Sequence, residues 1–246
     1  MLSLESPGAL ARGETGVQVD GASHSTTWEG AIDNGALRVR HGFGSGIEGS
    51  VETSVMWYRD LDLVPRYAIL NRVGLKYCFD DIHGCPIALT GGLGGGAYDQ
   101  GGVAGGDLGL LLGYDNPYFV PFFHVRATVT AVIGPAPVYD GSAYSCSTTT
   151  QTCPVYNTPT GSFGFFGTLG FRIPISFGEE SGTRLGLLAA VQLGSLQDDK
   201  TGELVGSLGG GVEITFGGPT RAEKAAQPDP DEEGAPGVAA DSLEAR

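Results

Sequence analysis

The stretch FVPFFHVRATVTAV, residues 119–132, decides the fold. Phe119, Phe123, Val125, Ala127, Val129 and Ala131 share one face, and His124, Arg126, Thr128 and Thr130 share the other. A period of two belongs to a β-strand, because successive side chains leave a strand on opposite sides. A tilted strand needs about 9–11 residues to cross a bilayer, and this stretch is long enough.

Working outward, the same alternation returns in both directions. Downstream, Phe163 to Ile173 sets Phe163, Phe165, Leu169, Phe171 and Ile173 against Ser162, Thr168 and Arg172. In Thr183 to Gly194, Leu185, Leu187, Ala189, Val191 and Leu193 share a face. Upstream, Ile47 to Trp57 sets Ile47, Val51, Val55 and Trp57 against Glu48, Ser50, Glu52 and Ser54. Ile69 to Tyr77 sets Ile69, Val73, Leu75 and Tyr77 against Arg72 and Lys76, and Leu37 and Val39 oppose Arg38 and Arg40. Weaker, glycine-broken strands are expected near Gly16 to Asp20, Pro86 to Ala97 and Asp107 to Gly113. In these strands every Arg, Lys and Glu lies opposite the apolar series. A charge on a lipid face near mid-bilayer costs roughly 2–4 kcal/mol, so that consistency points to an apolar face in lipid and a polar face turned inward.

Composition narrows the choice in the same direction. The chain of 246 residues has 42 glycines and only 17% charged residues beside 41% hydrophobic ones. Glycine weakens helix interiors by about 1 kcal/mol each, which argues against a helical fold. No run approaches the roughly 18 apolar residues of a membrane helix. Strands closed into a barrel reconcile abundant apolar residues with short alternating runs, since every backbone group then pairs with a neighbouring strand. The formal net charge of −14, without a basic cluster, makes nucleic acid and anionic headgroups unsuitable partners. The first ten residues, MLSLESPGAL, have neither a basic start nor an apolar core, so a leader is expected to have been removed.

The last strand carries a family resemblance. Leu204, Leu208, Val212, Ile214 and Phe216 share a face, and Gly211-Val212-Glu213-Ile214-Thr215-Phe216 resembles the closing strand of bacterial outer-membrane proteins, which ends in an aromatic residue. Here Phe216 is followed by a tail. The resemblance to the small outer-membrane barrel superfamily covers Glu14 to Phe216 and implies the outer membrane, its lipid and the barrel insertion machinery as location and partners. The expectation is an all-β chain: a single antiparallel transmembrane barrel of about ten strands over residues 14–216. Residues 1–13 precede it as an N-terminal periplasmic segment. Residues 217–246, acidic and rich in Pro and Ala, follow as a disordered tail.

Loop lengths orient the barrel. With both ends in the periplasm, the connections Gly44 to Gly46, Gly113 to Pro117 and Ser176 to Gly182 are short, and Gly134 to Thr160 is the longest of the external set. Asp33-Asn34-Gly35 does not fit, since it reads as a tight hairpin turn that would make Thr26 to Ile32 an extra strand. The four cysteines form two local pairs, Cys78 with Cys85 and Cys146 with Cys153. Their spacing suits neither a zinc ribbon nor a redox motif, so two disulfides in an oxidising compartment are expected, with free thiols the alternative.

The candidate site is the lumen, where Arg38, Arg40, Arg72, Lys76, His124, Arg126 and Arg172 would meet Glu48, Glu52 and Glu213. Barrels of this size are narrow enough for side chains to fill. The glycine run from Gly91 to Gly96 lacks the Lys-Ser/Thr and the helix of a phosphate loop. Asp60 and Asp62 fall at the opposite end from Asp81-Ile82-His83, so the acid and histidine groups that some related barrels use in catalysis do not meet. The residues from Asp198 to Glu203 lack the alternation of a calcium loop. No enzyme activity, cofactor or metal is expected. The leading reading is a structural or surface-exposed barrel with a closed or narrow lumen. The alternatives are a small passive, porin-like channel for anionic solutes and a secreted soluble β-sandwich.

Overall fold

The computed structural model describes residues 4–26, 30–58, 67–79, 85–98, 101–114, 116, 118–133, 161–176, 182–198 and 202–217. Ten strands follow in chain order: β1 (Thr15–Thr26), β2 (Gly30–Gly44), β3 (Ile47–Tyr58), β4 (Tyr67–Cys78), β5 (Ile87–Tyr98), β6 (Gly101–Gly113), β7 (Val120–Ile133), β8 (Gly161–Ser176), β9 (Arg184–Asp198) and β10 (Gly202–Phe216). Each pairs antiparallel with the next, and β1 also pairs with β10, from Thr15 opposite Phe216 to Thr26 opposite Val205. The sheet is therefore closed and has no free edge.

Side chains sort by parity, as the alternation requires. Val73, Val129 and Leu193 point outward and are 62%, 59% and 69% exposed, whereas Arg38 and Arg40 point inward and are 0% and 1% exposed. The outer surface is apolar around the whole wall, which excludes a soluble sandwich and suits a bilayer. Aromatic residues gather at both edges of this belt. Phe43, Tyr77, Phe79, Phe119 and Phe216 lie near the end that carries the strand termini Thr15 and Phe216, and Trp57, Tyr67 and Phe163 lie near the other. Tyr77 and Phe79 meet edge to face at 5.4 Å, and Phe119 and Phe171 lie 5.3 Å apart. Such girdles match the two interfaces of a membrane barrel.

Two sequence-based expectations need correction. Asp33-Asn34-Gly35 is not a turn: it lies within β2, with Gly35 opposite Gly21 on one side and Val55 on the other. A two-residue hairpin of that type needs positive φ at its centre, and none occurs there. Ladder bonds on both sides outweigh local turn preference. Gly35 faces outward, where a Cβ would touch Trp57 at 3.6 Å. The extra strand from Thr26 to Ile32 disappears with the turn, and the strand number stays even. The other correction concerns the expected N-terminal periplasmic segment, residues 1–13: of its described residues, Leu4, Glu5, Ser6 and Leu10 are buried.

At the termini end, the β2–β3 connection is the turn Ser45-Gly46, both residues with positive φ. A disulfide joins Cys78 to Cys85 at the start of the β4–β5 connection, with Cα atoms 5.3 Å apart. Cys146, Cys153, Asp60, Asp62, Asp81 to His83, residues 199–201 and residues 218–246 lie outside the described residues.

Candidate functional site

Because Val39 and Val51 face outward, their neighbours Arg38, Arg40, Glu48 and Glu52 must face the bore. Arg38 and Glu52 stand directly opposite in the β2–β3 ladder. The arginine donates to Glu52 Oε2 from Nε at 2.8 Å and again from Nη2. Arg40 Nη1 donates to Glu48 Oε1 at 2.9 Å, and Lys76 Nζ lies 3.6 Å from the other oxygen of Glu48. Charges this deeply buried persist only when paired and hydrogen-bonded.

Three further ion pairs share one device, in which an arginine reaches over a glycine on the intervening strand. Arg72 of β4 crosses Gly92 of β5 to Asp107 of β6, donating from Nε and Nη2 at 2.7 Å each. A Cβ at Gly92 would lie 2.6 Å from Arg72 Nε. Arg172 of β8 crosses Gly186 of β9 to Glu213 of β10 at 3.4 Å, and a Cβ at Gly186 would again lie 2.6 Å from the guanidinium. Arg40 of β2 crosses Gly16 of β1 to the same Glu213. These bonds run around the wall, between strands at most two apart.

The axis of the bore is occupied by the described residues ahead of β1. Gly13 N donates to Gly42 O and Gly42 N to Glu14 O, both at 2.9 Å, so the segment before β1 folds back across the termini end. It then enters the bore, where wall side chains hold its main chain. Gln18 Nε2 and Arg38 Nη1 donate to Leu4 O at 2.8 and 2.9 Å. Lys76 Nζ donates to Ser6 O at 2.9 Å and Gly8 O at 2.6 Å, while Leu10 N donates to Glu48 Oε2 at 3.2 Å. Glu5 sits between Arg38 at 3.3 Å and Arg72 at 3.5 Å. Leu4 belongs to a buried apolar cluster with Ala22, Ala88, Leu111, Phe122 and Leu188, contributed by five strands. The segment therefore touches the wall on several sides.

Beyond this plug, toward the far end, the bore holds a cavity of about 200 Å³. Met56, Leu70, Val103, Phe166 and Leu196 line it with Thr128 and Thr130, and Arg72, Asp107 and Arg126 reach it from the plug side.

All ten residues expected in the lumen lie on the inward face. Arg38, Arg40, Glu48, Glu52, Arg72, Lys76, Arg172 and Glu213 join the ion pairs above. His124 Nε2 lies 3.0 Å from the Thr90 hydroxyl. Arg126 is buried at the floor of the cavity. Glu5, Asp20, Asp107 and Gln18 escaped the sequence reading. Asp107 was legible, since Leu108, Leu110 and Leu112 fix its parity. Asp20, which accepts from Gln18 Nε2 at 2.7 Å, alternates with Val19 in the same way. Nothing in the periodicity marks Glu5, because it lies in no strand.

An even-stranded antiparallel barrel with an apolar belt, aromatic edges and a filled polar interior is the architecture of a bacterial outer-membrane protein. No protein-family model matches the chain. No curated protein matches it either. Several solved structures are similar in fold. Neisserial surface protein A, NspA, is 12% identical, with 83% of this chain and 100% of that one covered and a TM-score of 0.35. The translocator domain of the autotransporter NalP from Neisseria meningitidis is 14% identical over 82% and 88% of the two chains, with a TM-score of 0.40. The outer membrane protein OprG from Pseudomonas aeruginosa is 11% identical over 86% and 99%, with a TM-score of 0.32. Likenesses of this size concern the barrel fold alone.

Proposed function

We propose that this outer-membrane barrel is a closed, non-enzymatic scaffold that presents its external connections at the cell surface. The observation that carries the reading is Glu5, held in the bore between Arg38 and Arg72 by ion pairs of 3.3 and 3.5 Å. A segment anchored there obstructs the path that a solute would take. The narrow anion channel fits less well. Arg38, Arg40, Arg72, Lys76 and Arg172 each have a carboxylate within 3.6 Å, so the wall offers matched charge instead of a basic lining. In this reading the termini end faces the periplasm, and β10, ending on Phe216, serves as the strand read by the insertion machinery. The 134–160 connection, the longest between strands, is then the main external surface.

Planar-bilayer recording of the full chain tests the closed state, with no stepwise conductance as the expected result. An epitope at Thr149 tests the orientation. Labelling of intact cells is expected, and labelling seen only after the outer membrane is permeabilised would invert the topology.

A further inference from the structure

We infer that the bore contains a binding site for the main chain of a short peptide, occupied in cis by residues 4–10, and that emptying this site opens the barrel. The inference rests on the closed-bore reading above and adds what closes it.

The seat is built, and it is not merely space that a loose end has entered. Three cationic or amide side chains from three strands, Gln18, Arg38 and Lys76, donate to three successive alternate carbonyls, those of Leu4, Ser6 and Gly8. Glu48 accepts from the Leu10 amide. The segment bends at Pro7-Gly8, which brings the Ser6 and Gly8 carbonyls onto the same Lys76 ammonium. The wall also gives way where the segment passes. A Cβ at Gly42 would lie 2.5 Å from Leu10 O, and one at Gly113 would lie 2.8 Å from Pro7 Cβ. Two side chains add selectivity: Leu4 fills the apolar cluster and Glu5 completes the Arg38–Arg72 pair.

The ion pairs of the wall do not themselves close the axis. Arg38–Glu52 and Arg40–Glu48 join adjacent strands, and the three glycine-crossed pairs join strands two apart. On this inference, removing the peptide joins the space it vacates to the far cavity. A short tether gives the segment an effective concentration in the millimolar range, so the seat is filled at rest even where the intrinsic affinity is modest.

The test uses the full chain carrying Glu5→Arg, which puts a third cation between Arg38 and Arg72 without touching any strand. Heat-modifiable gel mobility first verifies that the barrel has formed. Stepwise conductance is expected where the unaltered chain is silent. A synthetic peptide of residues 4–13, LESPGALARG, added at millimolar concentration to both sides, is expected to reduce open time several-fold, and the same peptide carrying Glu5→Arg is not. A folded but silent variant would show that the wall alone closes the bore and would overturn the inference. Conductance that both peptides leave unchanged would overturn the peptide site. Conductance already present in the unaltered chain would instead sink the closed-bore reading. If Glu5→Arg does not yield a barrel, Glu5→Gln removes both ion pairs without adding charge and supplies the same readout, with briefer openings.

Discussion

Arg72 and Asp107, on strands that do not touch, form a two-pronged ion pair across Gly92, with both nitrogen–oxygen distances at 2.7 Å. The pair exists because the residue between them has no side chain. Part of the chain's high glycine content thus has a local cause in the wall.

Gly92→Val is expected to destabilise the barrel by about 3 kcal/mol, the scale of breaking a buried ion pair. Its Cβ would displace the Arg72 guanidinium from Asp107. Gly91→Val, one residue earlier, is expected to be nearly neutral. There a Cβ would meet only ordinary contacts, at 3.5 Å to Asp107 O and 3.6 Å to Leu108, on the outward face. Urea unfolding in detergent micelles compares the two. Equal losses would mean that backbone freedom, not the crossing arginine, explains the glycine.

Glu213 serves two arginines, Arg40 and Arg172. Glu213→Ala leaves Arg40 with Glu48 but takes from Arg172 the carboxylate that it meets among the described residues. The expected loss is about 3 kcal/mol, seen as a lower temperature for the heat-modifiable mobility shift. Glu233→Ala, in the C-terminal tail, serves as the comparison and is expected to change nothing. A shift of the same size in both would remove the ion pair from the account.

Val129 faces outward and is 59% exposed, while its neighbour Thr128 lines the far cavity. Val129→Arg places a charge in hydrocarbon at a cost of about 2–4 kcal/mol near mid-bilayer. Thr128→Arg points it into the bore instead, at the position opposite Asp107 in the ladder. Membrane yield is expected to fall for the first and to hold for the second, and similar yields would contradict the register of β7.

The strands were legible because a membrane barrel applies one rule at every position. Outward residues meet lipid, inward residues meet each other, and Phe123 beside His124 or Val39 beside Arg40 displays the rule directly. The rule weakens where glycine replaces the outward residue, so β5 and β6 were only faintly visible and Asp107 was passed over. Asp33-Asn34-Gly35 misled for a different reason. Turn preference is a property of three residues, whereas the two ladders that keep them extended involve Gly21 and Val55, neither of them local. Glu5 was beyond reach in principle. Its partners Arg38 and Arg72 lie on other strands, and no alternation runs through the segment that carries it.

The segment seated in the bore also ties the start of the chain described here to the closure of the barrel. Residues 4–13 lead directly into β1, and β1 forms the seam with β10, the last strand to be made. Leu4 and Glu5 reach the interior either as that seam zips or afterwards through the mouth at the termini end, where Gly13 and Glu14 cross to Gly42. A folded domain fused ahead of residue 4 would face a space of only about 200 Å³ beyond the plug. Such a fusion would have to keep the segment out of the bore. A fusion placed after Phe216 leaves from the rim and meets no such obstacle.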